Sequence, residues 1–131
     1  MLSVMDSALP FSSATAILDV GCGPGTAVAL LVNEYGSQIP SSARLIASDF
    51  SKGMVEALNQ RKKEREGESE VWKRLETAVY DAQDLSGGKD GDISHIMASL
   101  VYFMLPNPRK GLEEARRVLK PDGVLALTSW A

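Results

Sequence analysis

Three glycines at alternate positions, Gly21, Gly23 and Gly25, stand between a compact apolar run and a segment with helical content. Ala16–Val20 reads as a buried strand and Thr26–Tyr35 as a helix. Glycine lets the backbone take positive φ and lets a ligand approach with no Cβ in the way. The helix that follows offers unpaired N–H groups and a partial positive charge, which suit a ligand carboxylate. The chain keeps alternating strand and helix beyond this unit, as in an α/β sheet. Strands are expected at 43–48, 76–80, 93–98 and 124–129, with a turn at Pro121-Asp122-Gly123. Helices are expected from Ser51 toward Arg65 and from Pro106-Asn107-Pro108 through Leu119. Trp72 and Leu75 fit no element clearly. Residues 1–15 read as a short arm and 16–131 as one core domain. The predicted fold is a Rossmann-like, doubly wound, mostly parallel sheet of about five strands with helices on both faces. Its ligand crevice lies outside the carboxyl ends of the strands, at the switch point that Gly21–Gly25 adjoins.

Composition narrows the partners. A chain of 131 residues with 44% hydrophobic and 24% charged residues is an ordinary globular domain. Its formal net charge of −3 speaks against nucleic acid or an anionic membrane surface as the main partner. The basic run at 61–66 is interleaved with acids and reads as a solvated helix end. Cys22 is the single cysteine, so no internal disulfide forms, and a reducing compartment fits. The first residues carry no secretory pattern and no stretch approaches a membrane span. A cytoplasmic protein is the expectation.

The glycine turn departs from two familiar relatives. The dinucleotide pattern G-x-G-x-x-G needs glycine or alanine where this chain has Thr26, and the phosphate loop needs a lysine that does not follow Gly25. A nicotinamide dehydrogenase is therefore disfavoured. The stretch Ile17-Leu18-Asp19-Val20-Gly21-Cys22-Gly23-Pro24-Gly25-Thr26 instead resembles motif I of class I S-adenosyl-L-methionine-dependent methyltransferases. Leu45-Ile46-Ala47-Ser48-Asp49-Phe50-Ser51-Lys52-Gly53-Met54 resembles the family's second-strand motif, and Tyr80-Asp81-Ala82-Gln83-Asp84-Leu85 the segment that lines adenine. Residues 96–108 and 111–130 resemble the fourth-strand region and the Leu-Lys-Pro-x-Gly-strand region of small-molecule methyltransferases. The resemblance covers nearly the whole chain in order.

It implies S-adenosyl-L-methionine as cofactor, a small-molecule acceptor and no metal. Gly21, Gly23 and Gly25 would form the cofactor loop. Asp49, at the end of the second strand, would accept from the ribose hydroxyls, and its alternative is a helix-capping aspartate. Phe50 and Met54 would pack on the adenine faces or else belong to the core. Asp81 would accept from the adenine amino group while the Ala82 N–H donates to the ring. Asp19 resembles the acidic position near the methionine amino group, and a carboxylate inside an apolar strand is costly without a partner. Ser99 would lie near the methionine portion. Cys22 reads as a small filler, and His95, the sole histidine, as a packed or edge side chain. Tyr102, Phe103 and Met104 lie where substrate usually enters, without the histidines several relatives carry, so no catalytic base is named. The Asn/Asp-Pro-Pro-aromatic motif of amino-group methyltransferases is absent.

Relatives usually continue past the fifth strand into two more. The alternative to a working enzyme is thus a catalytically incomplete cofactor-binding remnant or partner subunit. Val124-Leu125-Ala126-Leu127-Thr128-Ser129-Trp130 carries no charge and no proline. As a sheet edge it is expected to recruit a second copy or a partner chain.

Overall fold

The computed structural model describes residues 1–130. The strands β1 (Ala16–Val20), β2 (Arg44–Asp49), β3 (Glu76–Val79), β4 (Ile93–Ser99) and β5 (Leu119–Thr128) form one sheet in the order β3-β2-β1-β4-β5. Every neighbouring pair is parallel. The order reverses between β1 and β4, which makes that crevice the switch point. All five residues of β1 are buried, which is why it reads as a continuous apolar run rather than an alternation.

Successive residues of the central strands feed two separate cores. Ile17, Leu45 and Met97 point to a face covered by α1 (Leu2–Ala8), α2 (Thr26–Tyr35), α4 (Glu70–Arg74) and Leu58 of α3 (Lys52–Arg65). Leu18, Ile46 and Ile96 point to the other face, covered by α5 (Pro108–Val118) through Ala115 and Val118 and by Leu85. The caps are local and explicit. The Ser51 hydroxyl accepts the Met54 N–H at 3.3 Å to start α3, and Asn107 Oδ1 accepts the Lys110 N–H at 3.2 Å to start α5.

Three regions differ from expectation. The segment expected as an arm folds as α1 followed by a 3₁₀ turn at Phe11–Ser13, with Met5 and Phe11 fully buried. Phe11 stacks on His95 with ring centroids 5.1 Å apart, and His95 Nε2 lies 2.8 Å from the Leu9 carbonyl oxygen. The unassigned Trp72 lies on α4, whose Ser69 hydroxyl accepts the Trp72 N–H, and it is buried beneath the Arg65 guanidinium, 5.0 Å from its ring. β5 begins at Leu119, not Val124. Ile93 pairs with Leu119 and His95 with Val124, so Pro121-Asp122-Gly123 bulges out within the strand instead of preceding it. Among the described residues no helix is long and apolar enough to cross a membrane.

Candidate functional site

Three connections converge at the carboxyl ends of the strands: Gly21–Gly25 after β1, Asp49-Phe50-Ser51 after β2, and Ser99-Leu100-Val101 after β4. The glycine turn is left-handed at each glycine, with φ of +66° at Gly21, +53° at Gly23 and +95° at Gly25. Their surroundings differ. A Cβ on Gly21 would collide with the Val101 side chain, whereas one on Gly23 would meet open space. Gly25 faces α3: a Cβ there would lie 2.5 Å from Leu58. The missing side chain lets α2 start against α3.

Asp49 ties this turn to β2. Its Oδ2 accepts the Gly23 N–H at 2.9 Å and its Oδ1 accepts the Ser51 N–H at 2.9 Å. Each carboxylate oxygen keeps a second lone pair for another donor. The helix-capping role falls to Ser51, not Asp49.

Two cavities meet at this turn. One, of about 500 Å³, is bounded by Asp19, Gly21, Gly23, Thr26, Ser99 and Thr128, with Met1, Leu2 and Ser3 at the N-terminal end forming another wall. The other, of about 550 Å³, is bounded by Gly21, Gly23, Asp49, Phe50, Met54, Asp81, Ala82 and Ser99, and by Leu100, Val101 and Met104. Gly21, Gly23 and Ser99 belong to both. All the expected residues except Gly25 therefore gather here. Phe50 and Met54 are 77% and 44% exposed, which takes them out of the core. Asp81 Oδ1 accepts the Gln83 N–H at 2.9 Å in a local turn that leaves Ala82 buried behind it.

Asp19 is the electrostatic singularity of the site. It is 1% exposed and neither carboxylate oxygen has a hydrogen-bond partner. Burial first, and the Asp49 charge second, push its pKa up to about 8. Burial first, and then the charges of Asp19 and Asp49, raise the Cys22 thiol to about 12, so it stays protonated and acts as filler. His95 is fully buried, held by Leu9 and Ser94, and lines neither cavity. Burial raises the Tyr102 hydroxyl to about 12, which keeps it neutral.

Sequence reasoning missed Leu100, Val101, Thr128 and the N-terminal residues of the first wall. For α1 a signal existed, since Leu2, Met5 and Leu9 recur at helical spacing. For Leu100 and Thr128 none did.

Residues 18–127 match the family described as Methyltransferase domain. Methyltransferase ucsB of an Acremonium species is 38% identical over 132 residues, which cover 99% of this chain and 46% of that protein. The demethylmenaquinone methyltransferase of Clavibacter sepedonicus is 36% identical over 118 residues, covering 88% of this chain and 41% of that protein. The chain spans less than half the length of these relatives. Among solved structures, a SAM dependent methyltransferase from Aquifex aeolicus is similar with a TM-score of 0.74 at 24% identity, over 88% of this chain and 56% of that one. The [4+2]-cyclase SpnF is similar with a TM-score of 0.79 at 21% identity, over 97% and 43%. Both likenesses concern the fold. The matched stretch runs from β1 to β5 and contains nearly all of the cleft, and on that ground the chain belongs to the methyltransferase-domain family, a membership that implies S-adenosyl-L-methionine as cofactor.

Proposed function

We propose that this chain is the cofactor-binding part of an enzyme that transfers a methyl group from S-adenosyl-L-methionine to a small-molecule acceptor. One observation carries the reading: two cavities meet at a glycine turn, and one of them holds a buried carboxylate with no partner. A dipolar, elongated cofactor with an ammonium at one end and a flat base at the other fits that arrangement. Asp19 would receive the methionine ammonium, which supplies the partner its carboxylate lacks. The open face of Gly23 and the start of α2 suit the methionine carboxylate. Asp49 would hold the ribose hydroxyls, Phe50 and Met54 the faces of adenine, and Asp81 and the Ala82 N–H its edge. Ser99 would border the methionine portion.

When bound, the cofactor supplies a methyl group already activated by the sulfonium charge. The chain's own part is to fix that cofactor at the seam of the cavities so that an acceptor can be aligned in line, with reacting atoms about 3–3.5 Å apart. The acceptor is proposed to be a small molecule, in keeping with relatives such as the demethylmenaquinone enzyme. A cytoplasmic location is proposed with it, since a free, buried Cys22 suits a reducing compartment.

A second reading is favoured by β5, which pairs with β4 alone and leaves Leu127 44% exposed. On it the cofactor core requires a further strand beside β5 before it turns over, and a second copy or a partner chain is one source of it. The likeness to a [4+2]-cyclase is a reminder that the fold hosts more than one chemistry. Calorimetric titration with S-adenosyl-L-methionine, S-adenosylhomocysteine and NAD, followed by a methyl-transfer screen with light scattering, tests both. Binding of the first two and not of NAD is expected; an NAD affinity equal to or better than theirs overturns the proposal. A monomer that turns over an acceptor overturns the second reading.

A further inference from the structure

Among the described residues Leu100 alone combines a side chain with positive φ, at +59°. A left-handed residue bearing a Cβ is strained and persists only where its neighbours over-determine it. Here the neighbour is Thr128, the last residue of β5. The Leu100 N–H donates to the Thr128 carbonyl oxygen at 3.1 Å and to its Oγ1 at 3.2 Å. The same Oγ1 lies 3.2 Å from the Ser99 hydroxyl, and Ser99 and Thr128 are the final paired residues of β4 and β5.

The turn held in this way has a consequence at the cavities. A chain continuing β4 in extended conformation would run on beyond the sheet. The left-handed Leu100 turns it, sets Val101 against Gly21 where no Cβ could be accommodated, and leads into the 3₁₀ turn Tyr102–Met104. Thr128 lines the first cavity, Leu100 and Val101 line the second, and Ser99 lines both. The strain is thus located at the seam. A glycine at this position would make the same turn without strain but without holding it.

We propose that Thr128 is a positioning residue: by locking Leu100 in its left-handed turn it fixes the seam between the cavities, and with it the alignment of the two halves of a ligand that spans both. The inference rests on the function proposed above. It predicts that Thr128→Val, which removes both Oγ1 contacts and keeps the carbonyl one, weakens S-adenosylhomocysteine about tenfold, while Thr128→Ser stays within about twofold. Leu100→Gly removes the strain, so its thermal midpoint should not fall, yet it should also bind S-adenosylhomocysteine about tenfold more weakly because the turn is no longer stiff. Adenosine, which needs the second cavity alone, should lose less with Thr128→Val, and with Leu100→Gly it reads the cost of the lost Leu100 wall, so that only the excess loss for S-adenosylhomocysteine reports the turn.

Calorimetry with S-adenosylhomocysteine and adenosine, beside thermal melts of the ligand-free chains, reads all of this. If Leu100→Gly binds S-adenosylhomocysteine as the unaltered chain does, the inference is overturned. If Thr128→Val lowers the melting temperature and leaves affinity unchanged, Thr128 is only structural and the inference is equally overturned. Should Thr128→Val fail to fold, Leu100→Gly decides alone. An unaltered chain that binds no S-adenosylhomocysteine overturns the functional reading and this inference with it, whereas equal binding by every variant overturns this inference only.

Discussion

The two cavities share Gly21, Gly23 and Ser99, yet they are built on opposite principles. At the first, a single carboxylate, Asp19, sits almost wholly out of water with no partner. At the second, exposed apolar side chains such as Phe50, Met54 and Met104 rim an open hollow, and its buried carboxylate, Asp49, already accepts two backbone N–H groups. Electrostatic interactions strengthen as water is excluded, whereas dispersion and apolar contact are spread over many atom pairs. A ligand spanning both should therefore depend on an unpartnered carboxylate at one end and, beyond Asp49, on a sum of small terms at the other.

The largest effect should come from Asp19→Asn. Burial, with the Asp49 charge behind it, pushes the folded carboxyl up to about 8 from the ordinary aspartate value of 3.8. Between those values the folded chain holds a proton that the unfolded chain has lost. Each pH unit upward then lowers the unfolding free energy by about 1.4 kcal/mol. Stability from this residue is intact below the ordinary carboxylate range and lost as pH rises through about 8. The variant removes the slope, so its stability relative to the unaltered chain should improve steadily as pH rises toward 8. It should also bind S-adenosyl-L-methionine roughly 10- to 150-fold more weakly, through the lost interaction with an ammonium. Denaturation across pH and calorimetry measure the two. In the unaltered chain, ammonium binding should displace the Asp19 proton, so titrations in buffers of different ionisation enthalpy should report proton release near neutral pH. No release, with full affinity in the variant, would erase the contrast between the cavities.

Gly21→Ala and Gly23→Ala separate folding from binding at the shared wall. At Gly21 the new methyl group meets Val101 in a left-handed backbone, and a stability loss of about 2–4 kcal/mol is expected. At Gly23 only the backbone strain remains, roughly 1–2 kcal/mol, but the methyl group projects into open space at the seam. Ligand affinity should fall there by more than stability does. Urea titration beside calorimetry tells them apart.

Asp49→Ala comes next. It deprives the Gly23 and Ser51 N–H groups of their acceptor and removes the proposed ribose contact. A weakening of about 1.5–3 kcal/mol is expected. An unchanged dissociation constant in a folded variant would take Asp49 out of the site.

How much of this was legible varies with the physics. The strand–turn–helix unit around Gly21 could be read because glycine content and apolar periodicity are local properties. So could Asp49, since a strand end next to a helix start needs no tertiary knowledge. That Asp19 is costly followed from its apolar neighbours, but that neither of its oxygens finds a partner is a property of the folded chain alone. Leu100 shows the limit most plainly. No glycine or asparagine announces a left-handed turn there, because the conformation is imposed by Thr128, 28 residues away in sequence. The bulge at Pro121-Asp122-Gly123 was read as a turn because turn residues also serve strand irregularities, and only pairing with β4 distinguishes them.

The smallest effects belong to the open end. Phe50 and Met54 are largely exposed, so truncating either to alanine should leave the melting temperature of the ligand-free chain nearly unchanged, as surface substitutions do. Against the two faces of adenine each should contribute about 0.5–1.5 kcal/mol, the range for aromatic stacking and sulfur–aromatic contact. The expected loss is thus roughly 2- to 12-fold in affinity for S-adenosylhomocysteine, and the same for adenosine, because both carry the base. If the two side chains hold opposite faces without touching, the double variant should show nearly additive losses. A loss above about 100-fold from either single substitution would mean that one side chain governs this end as Asp19 governs the other. A loss for S-adenosylhomocysteine without one for adenosine would place the base elsewhere, and the division of the cleft into a charged end and a diffuse apolar end would have to be redrawn.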